Sequence, residues 1–448
     1  MSGKAPVEAV RAETTPPAPR APRTRGRWGV ALLFLLPALV LLGALVVYPI
    51  FATVVFSFQG PTGRGFVGLD NYQRMFSDPR ILRAIRNNVI WVVFVPALVT
   101  AIGLVFAVLT ERVSYGRAFK TAVFMPMAIS LLAGGVIWRL VYEENPERGL
   151  LNAGARAAAS ALRPPGPYVG ATPSEGVRLL GDGSMALVGP VRTGTPLTVG
   201  VVGLGADSTP PEAREAGLPS VGASTVGGVV YRDFTPGGGG TRGALDPGEL
   251  GLPEMRVEVR DASGEALDAA LTDERGRFTI ELDDSPSRLE LVLPASNFRP
   301  AFEGIQWLGP TLITPAIIVA YIWIWAGFAM VVIGAGLAAI SREVLEAARV
   351  DGASEWQIFR RITVPLLAPV LGVVLVTLVI NVLKVFDIVL VIAPSVVRDE
   401  ANVIALEMYQ QAFGARNFGL GAAVAVLLFV LVVPVIALNV KRFRQEQG

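Results

Sequence analysis

Neither cysteine nor histidine occurs among the 448 residues. The first absence excludes disulfides, thiolate metal sites and cysteine nucleophiles; the second excludes imidazole acid–base chemistry and imidazole metal ligands. Charge is also scarce: Asp, Glu, Lys and Arg make up 17% of the chain, against roughly 25% in an ordinary soluble domain. The deficit is concentrated. Residues 28–63, 87–110, 121–138, 304–341, 362–383 and 417–440 carry no charged side chain at all. Each stretch is long enough, or nearly so, for a helix of about 20 residues to cross a hydrocarbon layer of about 30 Å. A wholly soluble protein is excluded, and six transmembrane helices are predicted.

Residues 1–27 are polar, proline-rich and basic; nothing in them builds a core, so a disordered cytoplasmic tail is expected. The apolar run that follows, to about residue 58, exceeds the core of a cleavable signal peptide, about 7 to 15 residues, and reads as a retained first span. A mixed segment, 64–86, is predicted to lie amphipathically on the surface before helix 2 (88–110). Helix 3 (121–141) contains Pro126, where a kink is expected because proline removes a backbone donor. Residues 28–141 thus hold helices 1–3. Helices 4–6 occupy 308–440, as about 308–341, 367–392 and 418–440, with a water-exposed loop at 342–366. A short basic tail, 441–448, closes the chain.

Between the two sets of helices lies an insert, 142–307. Its 161–260 part contains 21 Gly and 12 Pro, too many breakers for spans or long helices. The tract PGGGGTRG at 236–243 lacks the GxxxxGK spacing of a phosphate loop. From Glu254 a period of two emerges. Met255, Val257 and Val259 alternate with Arg256, Glu258 and Arg260, Phe278, Ile280 and Leu282 alternate with Thr279 and Glu281, and Leu289, Leu291 and Leu293 keep the same spacing. That is the pattern of an antiparallel sheet with one buried face, so a sheet-like module is expected at about 251–300. The predicted architecture is therefore an all-α polytopic membrane protein with an inserted, mostly β domain. Placing the amino terminus in the cytoplasm puts Arg117, Lys120, Arg342, Arg349, Arg360, Arg361, Lys441 and Arg442 on the inner side, as the positive-inside rule asks. Both termini are then cytoplasmic and the insert extracytoplasmic.

The loop between helices 4 and 5 reads EAARVDGASEWQIFRRITVP, residues 346–365. Glu346, Ala347 and Ala348 are followed after three residues by Gly352, and after nine more by Ile362 and Pro365. A helix over 342–350, a reversal at Gly352 and a second helix over 354–362 fit this spacing, because glycine reverses the chain without a side-chain penalty. The apolar Val344, Leu345, Ala348, Ile358, Phe359 and Ile362 could seat in a groove of another protein. This segment resembles the signature of the membrane subunits of binding-protein-dependent ABC importers, with Val364 where leucine is usual. The likeness spans roughly 28–152 and 307–446. AIRNNVIWVV, FMP at 124–126, GLLN at 149–152 and LKVFDIVL look like the sugar-importing branch, closest to permeases for α-glucosides such as maltose or trehalose. Residues 393–400, APSVVRDE, depart from the T-x-G-G-P segment of many relatives.

The resemblance implies a coupling loop that docks in a cytoplasmic ATPase. The partners it implies are a homologous second permease, two copies of the ATPase subunit and an extracytoplasmic solute-binding protein. ATP and magnesium would sit on those partner subunits, with no cofactor bound directly by this chain and no catalytic role for it. Location in the bacterial cytoplasmic membrane, in contact with lipid and with no nucleic-acid partner, is implied as well. Within the spans, Asn381, Lys384 and Asp387 fall at steps of three in helix 5, on a face directed either to the translocation path or partner permease or to a structural Lys384–Asp387 pair. Tyr321 and Trp325 are candidate sugar contacts or interface anchors. Arg139 reads as snorkelling to the outer interface. Two other classes were weighed: a self-sufficient secondary transporter, which needs a second polar helix that helix 2 does not supply, and a membrane-anchored interaction protein acting through the insert, which leaves the 346–365 loop without a purpose.

Overall fold

The computed structural model describes the backbone of residues 27–112, 116–205, 208–282 and 288–446. Of the tail read at 1–27, residues 1–26 lie outside the described residues and Arg27 opens the first helix; part of the connection near 113–115 and the last two residues also lie outside them. Among the described residues, five helices are long and apolar enough to cross a membrane: Leu33–Phe56, Pro79–Glu111, Ile313–Ala338, Glu355–Leu383 and Phe418–Ala437. A sixth crossing is formed if the pair Gly116–Ala128 and Leu131–Val141, bent by 103°, is one span. The chain is thus a polytopic inner-membrane protein with an inserted β domain.

Three boundaries differ from the sequence reading. Helix 2 begins at Pro79, so 79–86 is its first two turns and not a surface segment. Helix 3 is broken and not merely kinked: Pro126 sits in a 3-10 turn, Met125–Ala128, extended Ile129 follows, and the Ser130 hydroxyl caps a new helix by accepting from the Ala133 N–H at 3.2 Å. Helix 5 stops at Leu383, and a separate short helix, Asp387–Ile392, begins after three intervening residues.

The chain divides into two compact units. The first comprises the described residues of Met1–Val93 with Val376–Val385 and Asn402–Gly448. Its core joins Met75, Ile81, Ile404, Leu420 and Val424. Buried amides tie its pieces together: Asn87 donates to the Asn402 carbonyl at 2.9 Å, and Asn88 accepts from the Ile404 N–H at 2.7 Å. Glu407, also buried, accepts from the side-chain amides of Asn402 and Gln411. None of the residues of Leu33–Phe56 is buried, so this helix presents an apolar surface all round, as lipid or another membrane helix requires.

The second unit, Phe94–Leu375 with Phe386–Ala401, contains the insert. After a helix, Leu150–Leu162, the described residues of the insert form nine strands: β1 (Thr172–Pro173), β2 (Val177–Leu179), β3 (Met185–Leu187), β4 (Leu197–Val202), β5 (Thr225–Arg232), β6 (Arg256–Arg260), β7 (Ala266–Leu271), β8 (Arg277–Glu281) and β9 (Glu290–Leu293). They make two sheets, ordered β1-β4-β5-β8 and β2-β3-β9-β6-β7. One core unites both: Val199, Val226, Val230, Phe278 and Ile280 from the first sheet meet Met185, Val257, Val259, Leu291 and Leu293 from the second.

The alternation seen from Glu254 onward is present, with Phe278 and Ile280 buried between exposed Arg277, Thr279 and Glu281. The module boundary at 251–300 is not. β8 hydrogen-bonds to β5 and β9 to β3, both from the glycine-rich half, so 251–300 holds pieces of two different sheets. A fragment of residues 166–299 is accordingly expected to be β-rich and to unfold cooperatively on heating. A 251–300 fragment, stripped of half of the shared core, should give the circular dichroism of an unfolded chain.

Candidate coupling surface and outer cleft

Within the second unit, the 342–366 loop is built as two helix ends sharing one turn. The first helix, Arg342–Val350, is capped by Ser341, whose hydroxyl accepts from the Glu343 N–H at 3.2 Å. It ends at Gly352, in the left-handed region with φ +82°. The Ala353 N–H donates to the Ala348 carbonyl and the Gly352 N–H to the Arg349 carbonyl, both at 3.0 Å. This is the Schellman pattern, which calls for glycine at that point. Two residues later a capping box starts the next helix: Ser354 Oγ accepts from the Gln357 N–H, and Gln357 Oε1 accepts from the Ser354 N–H at 2.8 Å. From there Glu355–Ile358 and the wider turn Phe359–Thr363 run into the span Val364–Leu383.

Arg349 and Glu355 bridge the turn, Nε to Oε1 at 2.8 Å. The hydrogen bond it donates to Glu355 raises the arginine above its ordinary value, and the charge of that carboxylate adds to it. Burial sorts the apolar residues. Ala348 and Ile358 are buried within the subunit and are not presented at its surface. Val350 (88% exposed), Trp356 (66%) and Val344 stand outward, with Trp356 stacked on Phe359 at 5.6 Å between centroids. Glu346, Ala347 and Pro365 are exposed, and Ile362 is half-buried. The loop therefore offers a preformed apolar knob rimmed by charge. Sequence reasoning missed Val350 and Trp356; the available signal was that they flank the turn at its outer side.

The helix 5 cluster does not form as expected. Because the helix ends at Leu383, Lys384 and Asp387 are not one helical turn apart, and their presumed common face with Asn381 is lost. Asn381 turns its amide back to the Thr377 carbonyl at 2.9 Å, a bond within its own helix. Tyr321 and Trp325 do come together: their rings stack at 5.8 Å, and Phe328 meets Trp325 edge-on at 5.7 Å. Tyr321 is buried. The buried Trp325 indole N–H has no hydrogen-bond partner among the described residues.

At the other end of the spans the insert leaves and rejoins the helices through one buried side chain. The Asn152 amide nitrogen lies 2.9 Å from the Glu143 carbonyl, 3.0 Å from that of Glu144 and 3.0 Å from that of Ile305. Its Oδ1 accepts from the Ile305 N–H at 2.8 Å and from the Trp307 indole at 3.2 Å. A clamp of this kind fixes both strands of the neck in register. Gly149 serves the same closure, since a Cβ there would lie 2.0 Å from the Glu143 carbonyl oxygen. The GLLN segment at 149–152 is thereby explained as a neck. Beside it the buried Tyr142 gives its hydroxyl to the Ala316 carbonyl at 2.8 Å.

These two surfaces, at opposite ends of apolar helices, invite comparison with known proteins. A family profile described as binding-protein-dependent transport system inner membrane component matches residues 289–444. The osmoprotective compounds uptake permease protein GgtC of Synechocystis is 30% identical over 415 residues, 93% of this chain and 99% of GgtC. The chain belongs to this family of transport-system membrane components. AglF of Rhizobium meliloti, an alpha-glucoside transport system permease protein, is 29% identical over 93% of this chain and 83% of its own. Among solved structures, a bacterial ABC transporter for import of the acidic polysaccharide alginate matches with a TM-score of 0.55 over 94% of this chain and 97% of the other, at 15% identity. That likeness is one of fold. As a transport-system membrane component, the chain is a permease subunit of an ABC-type importer.

Proposed function

We propose that this subunit imports a sugar, an α-glucoside such as maltose or trehalose, with ATP hydrolysed on separate subunits. The observation that carries the reading is the 342–366 loop, a rigid two-helix hook with Val350 and Trp356 outward, on a chain whose relatives include a permease for alpha-glucosides. Glu346, Ala347, Ala348, Gly352, Ile362 and Pro365 are its coupling loop: the exposed residues dock, while Gly352 keeps the shape and Ala348 is buried within the subunit. Two ATPase copies, a second permease and an extracytoplasmic binding protein complete the assembly. Nucleotide-driven closure of the ATPases moves the hooks, and the pore alternates between outward and inward access. Tyr321 and Trp325 supply an aromatic face to the sugar, and the unpartnered Trp325 N–H a donor for a hydroxyl. Asn381, Lys384 and Asp387 border the path or the second permease.

Sidedness follows from charge: both termini and the 342–366 loop inside, 142–307 outside. Because the chain has no cysteine, single substitutions test this cleanly. Ser263→Cys, exposed in the insert, should react with an impermeant thiol reagent in intact spheroplasts, and Glu343→Cys only after lysis; the opposite pattern would invert the topology. The substrate is tested by uptake of labelled maltose, trehalose and sucrose in cells lacking this gene. Complementation should restore at least one of them, and restoration of none would reject the α-glucoside assignment.

A further inference from the structure

A cleft of about 340 Å³ opens beside the neck, near the lower end of the range for small-ligand sites. Its lining comes from three places that the chain brings together within one unit: Arg139 and Tyr142 at the end of the third span, Glu143 and Glu144 at the start of the insert, and Gln306 and Trp307 at its return. The 394–397 turn closes one side. That turn belongs to the segment where this chain departs from the T-x-G-G-P pattern, so the departure shapes the cleft.

The floor is aromatic and fixed. Tyr142 and Trp307 lie 6.1 Å apart between centroids, and Trp138 backs Tyr142 at 5.1 Å. The Trp307 indole is held by Asn152 and the Tyr142 hydroxyl by the Ala316 carbonyl. The rim is polar and free to engage a ligand. Glu143, Glu144, Gln306 and Arg139 are exposed, and among the described residues Arg139 has no ion-pair partner. Glu144 Oε1 accepts from the Gln306 amide at 2.9 Å, which leaves Oε2 as a further acceptor. An anion would meet two carboxylates, and a simple cation would meet the guanidinium. A neutral polyhydroxylated ring satisfies all of them: its C–H face lies on Trp307, its hydroxyls donate to Glu143 and Glu144, and its oxygens accept from Arg139.

We propose that this cleft is a capture site for a sugar ring at the outer mouth, where substrate rests between release from the binding protein and passage into the spans. The proposal rests on the sugar-import reading above and adds a site to it. Asn152 is the positioning residue, because it holds the backbone from which Glu143, Glu144 and Trp307 project.

Val396 lines the cleft and is 93% exposed, so Val396→Cys puts a single reactive thiol of this chain at its edge. In the assembled transporter, in nanodiscs of choline-free lipid and without binding protein, maltose should slow alkylation of that thiol about tenfold at ten times its Kd. Adding Arg139→Gln removes one charge-assisted bond and should raise the half-protecting maltose concentration about tenfold, with the unfolding temperature of the complex as the control for fold. Protection that is absent with maltose, trehalose and sucrose, while the same complex imports labelled sugar normally, overturns the cleft and leaves the import reading standing. Protection that is undiminished by Arg139→Gln also overturns it. A complete wild-type complex that imports none of the three sugars overturns the import reading itself, and the cleft with it.

Discussion

Gly352→Val is expected to abolish substrate-stimulated ATP hydrolysis by the assembled transporter while leaving the subunit in the membrane. At φ +82° a β-branched residue is strained by about 1 to 3 kcal/mol, but the strain is the smaller part of the effect. The backbone can relieve it only by leaving the left-handed region, and both bonds of the turn, Ala353 to Ala348 and Gly352 to Arg349, are then lost. The Arg349–Glu355 bridge loses its geometry, and Val350 and Trp356 no longer stand on one knob. Stimulated hydrolysis should fall at least about tenfold, which needs only about 1.4 kcal/mol of lost docking. Gly352→Asn, which tolerates the left-handed region, should keep most of it. Equal activity in the two variants, both assembled, would remove the coupling role from this loop.

Asn152→Leu is expected to unlatch the insert. The side chain is fully buried and serves three carbonyls, one backbone N–H and one indole. Leucine fills the volume and leaves these groups without partners at about 1 to 3 kcal/mol for each buried one. A local destabilisation of several kcal/mol follows, directed at the neck and not at the two sheets. Limited proteolysis of the intact complex should therefore open new cuts near 143–149 and 300–306, with the β domain released as a protected fragment. The concentration of loaded binding protein that half-maximally stimulates the ATPase should rise by roughly tenfold if the insert steadies the docked protein. An unchanged digestion pattern in the leucine variant would contradict the clamp.

Much of this was legible before any coordinates. Charge-free stretches located the apolar helices because the bilayer admits few unpaired charges, and Phe278, Ile280, Val257 and Leu291 announced their strands because a sheet with one wet face must alternate. The turn at Gly352 was readable for a similar local reason: few residue types besides glycine suit a left-handed position. What escaped depends on long-range pairing. The glycine-rich half of the insert shows little alternation, since Gly227 and Gly228 in β5 bring backbones close instead of filling a core; its partners, β8 and β4, decide that it is a strand. Asn152 is one asparagine among many until 143, 305 and 307 are seen around it. The steps of three at 381, 384 and 387 misled because they assume an unbroken helix, and periodicity alone does not reveal that the helix ends at Leu383. Ala348 and Ile358 looked like docking residues because amphipathicity marks an apolar face without saying whether a partner or the subunit itself covers it.

The central claim is that ATP hydrolysis on partner subunits drives sugar through a pore to which this chain contributes. It is tested most directly in proteoliposomes containing the full assembly, with loaded binding protein outside and ATP within. Labelled maltose should accumulate against its gradient only when ATP and binding protein are both present, and a proton or sodium gradient should not replace the nucleotide. Accumulation driven by an ion gradient without ATP would contradict the account.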